Sequence, residues 1–429
     1  MPRFVLRLNP PTTVTADEAA ASFYWLTDNR SSFVTALDPS LSSFGPVPSL
    51  SVDLVRIAVA VYAADRSTFR AGRGSDWNQR QIQLEVPVSD ARRWRSVTAD
   101  LEAVLKFLTG DSWALEFNEE QAPAQTVAAV TRASTRVVLI SGGADSAIGA
   151  LVARHEMTAG EQVTLLSHFS ASPIAPTQRS VVRAIEDLVP GPDQQHVQVH
   201  LARKQKRIDG TRYPTESSSR SRSLLFLALG LAAASIDRVP VWIPENGFAS
   251  LNPPLGPDRR GSLSTRTTHP AFLAGVADVL GRVGAHGVIE NPFASSTKGE
   301  MFTRAAALVG DGRASDFLSA TNSCAHTGQR AFGVPPSVQC GVCFGCVVRR
   351  ASFVASGIRD GTTYMSGNGD ARIQAWLGAN SISSAVRSFV AKGVRERDLI
   401  AITLPTSYPL ADALDLCRRG ISELAGLQL

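Results

Sequence analysis

The chain has little lysine and no long apolar run, and both shortages limit what it can be. Only five of its 43 basic residues are lysine, so arginine supplies most of the positive charge. The longest apolar run, 224–236, is too short to cross a bilayer and suits a buried helix. The first residues, MPRFVLRLNPP, lack the apolar segment and cleavage site of a signal peptide. We therefore expect a cytoplasmic protein without membrane segments.

Two common nucleotide-binding signatures are absent as well. The chain has no G-x-x-x-x-G-K-[ST] segment, which argues against a Walker A loop. It has no G-x-G-x-x-G segment, which argues against a dinucleotide-binding fold. Residue 2 is proline, and a glutamine-hydrolysing domain of the N-terminal-nucleophile kind needs cysteine there. We therefore do not expect the chain to release its own ammonia from glutamine.

What is present is the composition of a globular protein. Hydrophobic residues make up 44% of the 429 residues and charged residues 19%, and this length allows two or three domains. The net charge is +5, and basic residues cluster at 203–207 and recur at Arg212, Arg220 and Arg222. This segment either attracts phosphates or nucleic acid or is a solvated loop. We expect its serine-rich part, 211–223, to be mobile.

Apolar patterning divides the chain near residue 130. Residues 1–130 predict a small α+β module of unknown role, with strands at 3–8, 81–86 and 113–117 and helices at 54–63 and 91–108. Strand and helix patterns alternate over 131–315, which predicts an α/β domain with a parallel sheet. The segment 316–357 carries the cysteines, and 358–429 predicts a helical extension that packs on the core or on a second copy of the chain.

The most informative segment is VVLISGGADS at 137–146. Its four apolar residues predict a short buried strand, and an apolar helix pattern begins at Asp145. Gly142 and Gly143 let the backbone approach a ligand closely. Unpaired N–H groups at the start of a helix bind anions, and Asp145 stands where it can hold the Mg²⁺ of a polyphosphate. The segment therefore predicts a phosphate-binding turn, and a plain structural turn is the alternative.

Four of the five cysteines form a C-x15-C-x2-C-x2-C pattern, namely Cys324, Cys340, Cys343 and Cys346. In a reducing cytosol this spacing indicates a metal site before a disulfide. Four thiolates suit a tetrahedral Zn²⁺ ion, and Gly341 and Gly345 relieve crowding where the backbone folds around it. A redox C-x-x-C pair or an iron–sulfur cluster is the alternative.

Five segments follow one another along the chain: SGGADS at 141–146, SRSLLFLALGLA at 221–232, PENG at 244–247, NPFASSTKGEMF at 291–302 and CGVCFGCVVRR at 340–350. Together they resemble the 7-cyano-7-deazaguanine synthase (QueC) family of the PP-loop ATP pyrophosphatase superfamily. That family has an SGGxDS loop, an arginine before an apolar helix, a K-x-E segment and a CGxCxxCxxR knuckle. The resemblance covers about residues 135–357. A QueC-like core with an added N-terminal module resembles the QueC-like component of the four-gene Qat anti-phage systems.

The resemblance implies a fold, a reaction and a set of ligands. The fold is a PP-loop parallel sheet with helices on both faces. The reaction adenylates 7-carboxy-7-deazaguanine with ATP and Mg²⁺ and passes the acyl group to an amine, releasing AMP and pyrophosphate. The amine is ammonia or, in a defence setting, that of a partner protein. The implied partners are therefore a small deazaguanine and the protein subunits of a defence complex.

The resemblance also implies roles for single residues. The nucleotide is expected at the loop and at the following strand, at Ser141, Gly142, Gly143, Ala144, Asp145, Ser146 and His168. Lys298 of the K-x-E segment is expected to grip pyrophosphate, and Arg222 to face substrate or phosphate. The four clustered cysteines are expected to bind zinc and hold a wall of the site. Asp258 is the nearest match to the family's base-recognition segment, where the alignment is broken.

Each of these roles has an alternative. Lys298 can simply begin a helix with Glu300 in its first turn, Arg222 can be a surface charge, and His168 an ordinary loop histidine. For the whole chain, tRNA thiolation is a second hypothesis. It rests on the basic segment and needs a reactive thiol, for which only Cys417 remains outside the cluster. A third hypothesis is a scaffold that binds nucleotide without turnover.

Overall fold

The computed structural model of the chain describes residues 1–70, 79–129, 134–170, 174–253, 266–325, 332–335 and 337–428. The expected recognition residue Asp258 lies outside these ranges. Within them the strands form a four-stranded and a six-stranded sheet. None of the helices in these ranges has the length and apolar character that crossing a membrane requires.

The first sheet comes from the N-terminal part, and its strand pairs are parallel. Its strands are β1 (Arg3–Arg7), β2 (Ser22–Tyr24), β4 (Gln81–Val88) and β5 (Ser112–Glu119), in the order β2-β1-β4-β5. The helices here are α1 (Ala16–Ala21), α2 (Ser49–Arg66), α3 (Ala91–Arg95) and α4 (Thr98–Thr109). The predicted strands and the first predicted helix are confirmed. The helix predicted at 91–108 is two helices, because the chain turns at Ser96 and Val97.

The second sheet has the order β10-β9-β6-β7-β8-β3. Its strands are β3 (Phe33–Thr35), β6 (Ser134–Leu139), β7 (Gln162–Phe169), β8 (Asp193–Arg203), β9 (Val241–Trp242) and β10 (Ile289–Glu290). The connecting helices are α5 (Ala144–His155), α6 (Ala175–Leu188), α7 (Arg222–Asp237), α8 (Gly247–Leu251), α9 (Pro270–Val283) and α10 (Lys298–Val309). All pairs except β3–β8 are parallel, which confirms the predicted α/β sheet.

The N-terminal part shares a sheet and a core with the rest of the chain. Strand β3 pairs antiparallel with β8, so residues 33–35 form an edge of the second sheet. Helix α2 is buried along nearly its whole length and contacts both α7 and β4. One apolar cluster contains residues of both parts, among them Ile57 and Leu227. The boundary near residue 130 stays a prediction.

Two residues of the segment 211–223, for which the composition predicts mobility, form hydrogen bonds to helix α2. The Asp65 carboxylate at the end of α2 accepts hydrogen bonds from the backbone N–H groups of Arg220 and Ser221 at 2.8 and 2.9 Å. The Ser221 hydroxyl adds a third bond at 2.7 Å. Because Asp65 is fully buried, it fixes the start of α7 from the N-terminal part of the chain.

The chain ends in helices that pack beside the second sheet. They are α11 (Asp311–Ser319), α12 (Phe344–Ser356), α13 (Ala371–Asn380), α14 (Ser383–Lys392), α15 (Glu396–Leu399) and α16 (Leu410–Ala425). The predicted helical extension is confirmed. Helix α16 contacts α8 and α12, which both border the site described next.

Candidate functional site

The turn between β6 and α5 has the conformation that its glycines predict. Gly142 has a φ of +93°, a left-handed conformation that strains any residue with a side chain. The Ser141 and Ser146 hydroxyls lie 3.0 Å apart, and the Gly143 N–H donates to the Ser141 hydroxyl at 3.3 Å. The serines therefore brace the turn. No side chain caps the start of α5, and the first N–H groups of a helix have no partner within the helix.

Asp145 in the first turn of α5 meets Lys298, the first residue of α10. The Lys298 ammonium forms an ion pair with Oδ1 of Asp145, and both side chains are more than nine-tenths buried. Oδ2 of Asp145 accepts a hydrogen bond from the Asn246 backbone N–H at 3.1 Å and another from Asn246 Nδ2 at 2.6 Å. Three distant segments of the chain thus meet at one carboxylate.

These contacts fix the charge state of Asp145. Burial by itself would raise the pKa of the carboxyl group. The Lys298 ammonium and the hydrogen bonds around it outweigh burial and hold the pKa of Asp145 below its ordinary range. Asp145 is therefore a carboxylate at neutral pH.

The ion pair lies in a cavity of about 430 Å³ at the carboxyl edge of the second sheet. Six of the sequence-predicted residues line it: Ser141, Gly143, Ala144, Asp145, Ser146 and Lys298. Other parts of the chain complete the lining: Pro244, Glu245, Asn246, Ala249, Ser250, Thr267, Thr268, Asn322, Ser323, Ala325 and the start of α12. In α/β sheets this edge is where ligands bind.

Three helices begin at this cavity. Ala144, Lys298 and Phe344 are the first residues of α5, α10 and α12, and all three line it. A helix carries a partial positive charge at its N-terminus, and each such end stabilises a nearby anion by about 0.3–1 kcal/mol. The ends of α5, α10 and α12 and the Lys298 ammonium therefore favour an anionic ligand.

Glu245 and Asn246 are site residues to which the sequence analysis gave no role. Both follow β9 and line the cavity. Asn246 caps α8 through a hydrogen bond from the Ala249 N–H to its side-chain oxygen at 2.9 Å. The signal available was the PENG segment, two polar residues directly after a strand at the same sheet edge as the predicted turn.

Two glycines let the walls of the cavity approach each other. A Cβ atom at Gly149 of α5 would lie 2.1 Å from Cγ of Pro244, and one at Gly247 would lie 1.9 Å from the Ala294 carbonyl oxygen. Both distances are far inside van der Waals contact. The strand end that carries Glu245 can therefore pack directly on α5.

The C-terminal helix α16 clamps the start of α10. The Glu423 carboxylate accepts a hydrogen bond from the Thr297 hydroxyl and two from the Gly299 N–H, both at 3.1 Å. Arg419 pairs with Glu300 at 2.6 Å and donates to the Ser295 carbonyl at 3.0 Å. These bonds hold the backbone on both sides of Lys298.

Lys298 fits both interpretations of its position, as the start of a helix and as a charged residue of the site. It begins α10, and Thr297 and Glu300 form a capping box around it. Its ammonium nevertheless lies in the cavity and pairs with Asp145. Glu300 completes the cap and pairs with Arg419, as expected of a residue at a helix start.

The four clustered cysteines can hold a metal ion such as zinc. Their sulfur atoms all lie within 4.8 Å of one another, and Cys340 and Cys346 are 3.8 Å apart. A Zn–S distance of about 2.3 Å in a tetrahedron gives sulfur separations of about 3.8 Å.

The cysteine segment forms a wall of the cavity. The Asn322 N–H donates to the Gly142 carbonyl at 3.0 Å, which joins this segment to the turn between β6 and α5. Gly341 has a φ of +81°, and a Cβ atom at Gly345 would lie 2.1 Å from the Ser323 carbonyl oxygen. Gly345 therefore relieves crowding as predicted, whereas Gly341 supplies a left-handed backbone conformation, and Gly345 itself lines the cavity.

Arg349 stabilises this wall through hydrogen bonds to two other segments. It is fully buried and donates to the Thr321 hydroxyl at 2.8 Å and to the Thr362 hydroxyl at 3.0 Å. The arginine that follows the knuckle thus links the segments before and after the cysteines.

Gly142, His168 and Arg222 are absent from the described lining of the cavity. The His168 ring is buried in β7 and donates from Nε2 to the Leu201 carbonyl at 3.0 Å. Burial, aided by the charge of Arg222, lowers the pKa of His168 to about 4, so the ring is neutral. Arg222 is exposed at the start of α7. The nucleotide and substrate contacts expected of these residues stay predictions.

Several residues that supported the nucleic-acid alternative have structural tasks. Arg203 is buried with its guanidinium 4.5 Å from the centre of the Tyr213 ring, and Arg220 donates to the Thr109 carbonyl at 2.9 Å. Cys417, the thiol that thiolation would need, is buried in α16. Burial raises the pKa of Cys417 to about 12, which leaves it a poor nucleophile.

No model of a known protein family matches the chain. A comparison with curated proteins finds no match either.

Proposed function

We propose that the chain is an ATP-dependent, AMP-forming C–N ligase of the QueC-like family with a PP-loop fold. Its substrate is 7-carboxy-7-deazaguanine, whose carboxylate it adenylates and passes to an amine. One observation carries the proposal. Asp145 of the SGGADS turn and Lys298 of the K-x-E segment, far apart in sequence, form a buried ion pair in one cavity.

This pair suits the triphosphate of a magnesium nucleotide. Lys298 offers a cation to phosphate oxygens, and the N–H groups at the start of α5 add fixed donors. Asp145 offers a carboxylate oxygen, the ligand type that Mg²⁺ prefers. Bound Mg²⁺ neutralises phosphate charge during transfer. Ser141 and Ser146 keep the turn in shape for this contact.

The chemistry requires activation because a carboxylate has no good leaving group. Its oxygen attacks the α-phosphorus of ATP, the bond to pyrophosphate breaks, and an acyl-adenylate forms. An amine then attacks the acyl carbon, the bond to AMP breaks, and an amide forms. A second round of activation converts that amide to a nitrile in the family it resembles.

Zinc is the metal we propose for the four cysteines, with a structural task. The N–H groups of Cys340 and Cys343 already point at cluster sulfurs, at 3.5 and 3.3 Å, as donors to thiolates do. Zinc there fixes the knuckle, and with it Gly345 and Ser323 in the cavity wall.

We place the protein in the cytoplasm, in an anti-phage complex with protein partners. The acceptor is ammonia or an amine of such a partner. A second copy of the chain is a further partner, which the helical extension would contact.

Exchange of radioactive pyrophosphate into ATP tests the proposal. The purified protein is incubated with ATP, Mg²⁺, labelled pyrophosphate and 7-carboxy-7-deazaguanine without amine. We expect exchange that requires the deazaguanine and is lost in Asp145→Asn. Asp100→Asn is the matched control and retains exchange, because this half-exposed aspartate of α4 pairs with Arg282 and does not line the cavity. Exchange that is absent in the native protein, or unchanged in Asp145→Asn, contradicts the proposal.

A further inference from the structure

Asn246 donates two hydrogen bonds to one oxygen of Asp145. Its backbone N–H reaches Asp145 Oδ2 at 3.1 Å, and its side-chain Nδ2 reaches the same atom at 2.6 Å. Both residues are buried, with 1% of Asn246 and 5% of Asp145 exposed. Oδ2 is therefore occupied by Asn246, and Oδ1 is the oxygen that pairs with Lys298.

The orientation of the Asn246 amide follows from its other hydrogen bonds. Its oxygen accepts from the Ala249 N–H at 2.9 Å, which makes Asn246 the N-cap of α8. The nitrogen is therefore the atom that points at the carboxylates, and it also donates to Glu245 Oε1 at 3.0 Å. The Asn246 side chain can thus only donate to Asp145.

The backbone on both sides of Asn246 is fixed as well. The Asn291 side chain accepts from the Glu245 N–H at 3.3 Å and donates to the Glu245 carbonyl at 2.8 Å. The Gly247 N–H donates to the Ser296 carbonyl at 2.8 Å. Asn246 is therefore held between two attachments to the segment that leads into α10.

The other side chains at Asp145 have more freedom. The Lys298 ammonium ends a four-carbon stem and has three donor hydrogens, which a bound phosphate can share. The Glu245 side chain also forms a hydrogen bond with Asp145, and a glutamate has one more rotatable bond than an asparagine. Asn246 therefore supplies a fixed contact that does not depend on where the lysine points.

A carboxylate binds a cation best when its orientation is set in advance. Residues that orient a metal ligand through hydrogen bonds are typically worth about 10–100-fold in metal affinity or activity. We propose that Asn246 is a positioning residue, which orients the Asp145 carboxylate and leaves Oδ1 for the Mg²⁺ of a bound nucleotide. The role rests on the proposed function, because it is there that Asp145 offers an oxygen to Mg²⁺.

Asn246→Ser separates this role from the capping of α8. Serine is a good N-cap residue, so the helix keeps a capping oxygen. The serine hydroxyl takes the place of Cγ, one bond short of Nδ2, and the side-chain bond to Asp145 is lost. Calorimetric titration measures the Kd for ATP, once with Mg²⁺ and once with EDTA. We expect the Kd with Mg²⁺ to rise about 10–100-fold and the Kd in EDTA to stay close to the native value.

The loss should depend on Asp145, through which Asn246 acts. In an Asp145→Asn background, Asn246→Ser should change the affinity for ATP with Mg²⁺ little. Asp90→Ser is the matched control. Asp90 caps α3, which has five residues like α8, and it is absent from the described lining of the cavity. This control should bind ATP as the native protein does. If Asn246→Ser does not fold, Asn246→Thr takes its place, since threonine also caps a helix.

The other outcomes decide between two claims. A native Kd in Asn246→Ser, or an equal loss with Mg²⁺ and with EDTA, overturns the positioning role. An undiminished loss in the Asp145→Asn background overturns it too, because Asn246 then acts independently of that carboxylate. Failure of the native protein to bind ATP with Mg²⁺ instead overturns the ligase proposal.

Discussion

Replacing Lys298 by methionine tests whether the buried ion pair has the energetic weight that its geometry implies. The substitution keeps the apolar stem and removes the ammonium. Asp145 then stays buried without its cation and keeps the two hydrogen bonds from Asn246. Removing one partner of a buried pair costs about 3–5 kcal/mol, and the remaining hydrogen bonds point to the lower end, about 3 kcal/mol.

Urea unfolding followed by tryptophan fluorescence measures this cost. The double variant Asp145→Asn with Lys298→Met removes both charges, and its loss of stability should be smaller than the sum of the two single losses. Ser141 and the turn are untouched in all three variants. Losses that add up, or a loss below about 1 kcal/mol in Lys298→Met, would refute the reasoning.

The pH dependence of the stability independently tests whether Asp145 is ionised in the folded protein. The pKa of Asp145 in the folded native protein lies below the unfolded value of about 3.9. The pair's stabilisation is therefore present above about pH 4 and is lost as the pH falls through the folded pKa. In Lys298→Met the ammonium no longer opposes the effect of burial, so burial raises the pKa of the Asp145 carboxyl group. The deficit of this variant should therefore shrink as the pH falls, and a deficit independent of pH would be inconsistent with an ionised Asp145.

Three further predictions follow from the cavity walls. Gly149→Ala places a methyl group 2.1 Å from Cγ of Pro244 and should cost about 1–3 kcal/mol in urea unfolding; an unchanged midpoint would show that the contact yields freely. Cys343→Ser should lower the zinc content of the purified protein, measured by elemental analysis, and lower the melting temperature in zinc-containing buffer. A zinc content equal to that of the native protein would exclude the four cysteines as a zinc site. Glu423→Ala should raise the KM for ATP in pyrophosphate exchange, because the bonds to Thr297 and Gly299 are lost. Glu423→Gln should have a KM close to that of the native protein, since its amide oxygen can still accept these bonds. Equal KM values in all three proteins would show that Glu423 does not position Lys298.

Much of the fold could be predicted because its elements carry strong local patterns. The helix predicted at 410–425 is α16, and the strand predicted at 162–167 is β7 with two more residues. Strands β2 and β3 could not be found in this way, because three residues are too few to show a period. The pairing of β3 with β8 depends on contacts far apart in sequence, which no local pattern records.

The candidate site shows the same division. Asp145 and Lys298 could be named because each belongs to a segment with a recognisable spacing. Glu245 could not be named as a site residue, since its place in the cavity depends on contacts with Asn246 and Asn291, whose positions are set by the sheet edge. Arg349 is the arginine of the CGxCxxCxxR segment, but its full burial depends on contacts far apart in sequence with Thr321 and Thr362.

Transfer of a heavy oxygen isotope tests the central claim most directly. 7-Carboxy-7-deazaguanine labelled with oxygen-18 in its carboxylate is incubated with the protein, ATP, Mg²⁺ and ammonia, and the released AMP is analysed by mass spectrometry. If the carboxylate is adenylated in the cavity of Asp145 and Lys298, AMP carries one labelled oxygen, and Asp145→Asn forms none. Release of ADP and labelled inorganic phosphate, or of unlabelled AMP, would contradict the account.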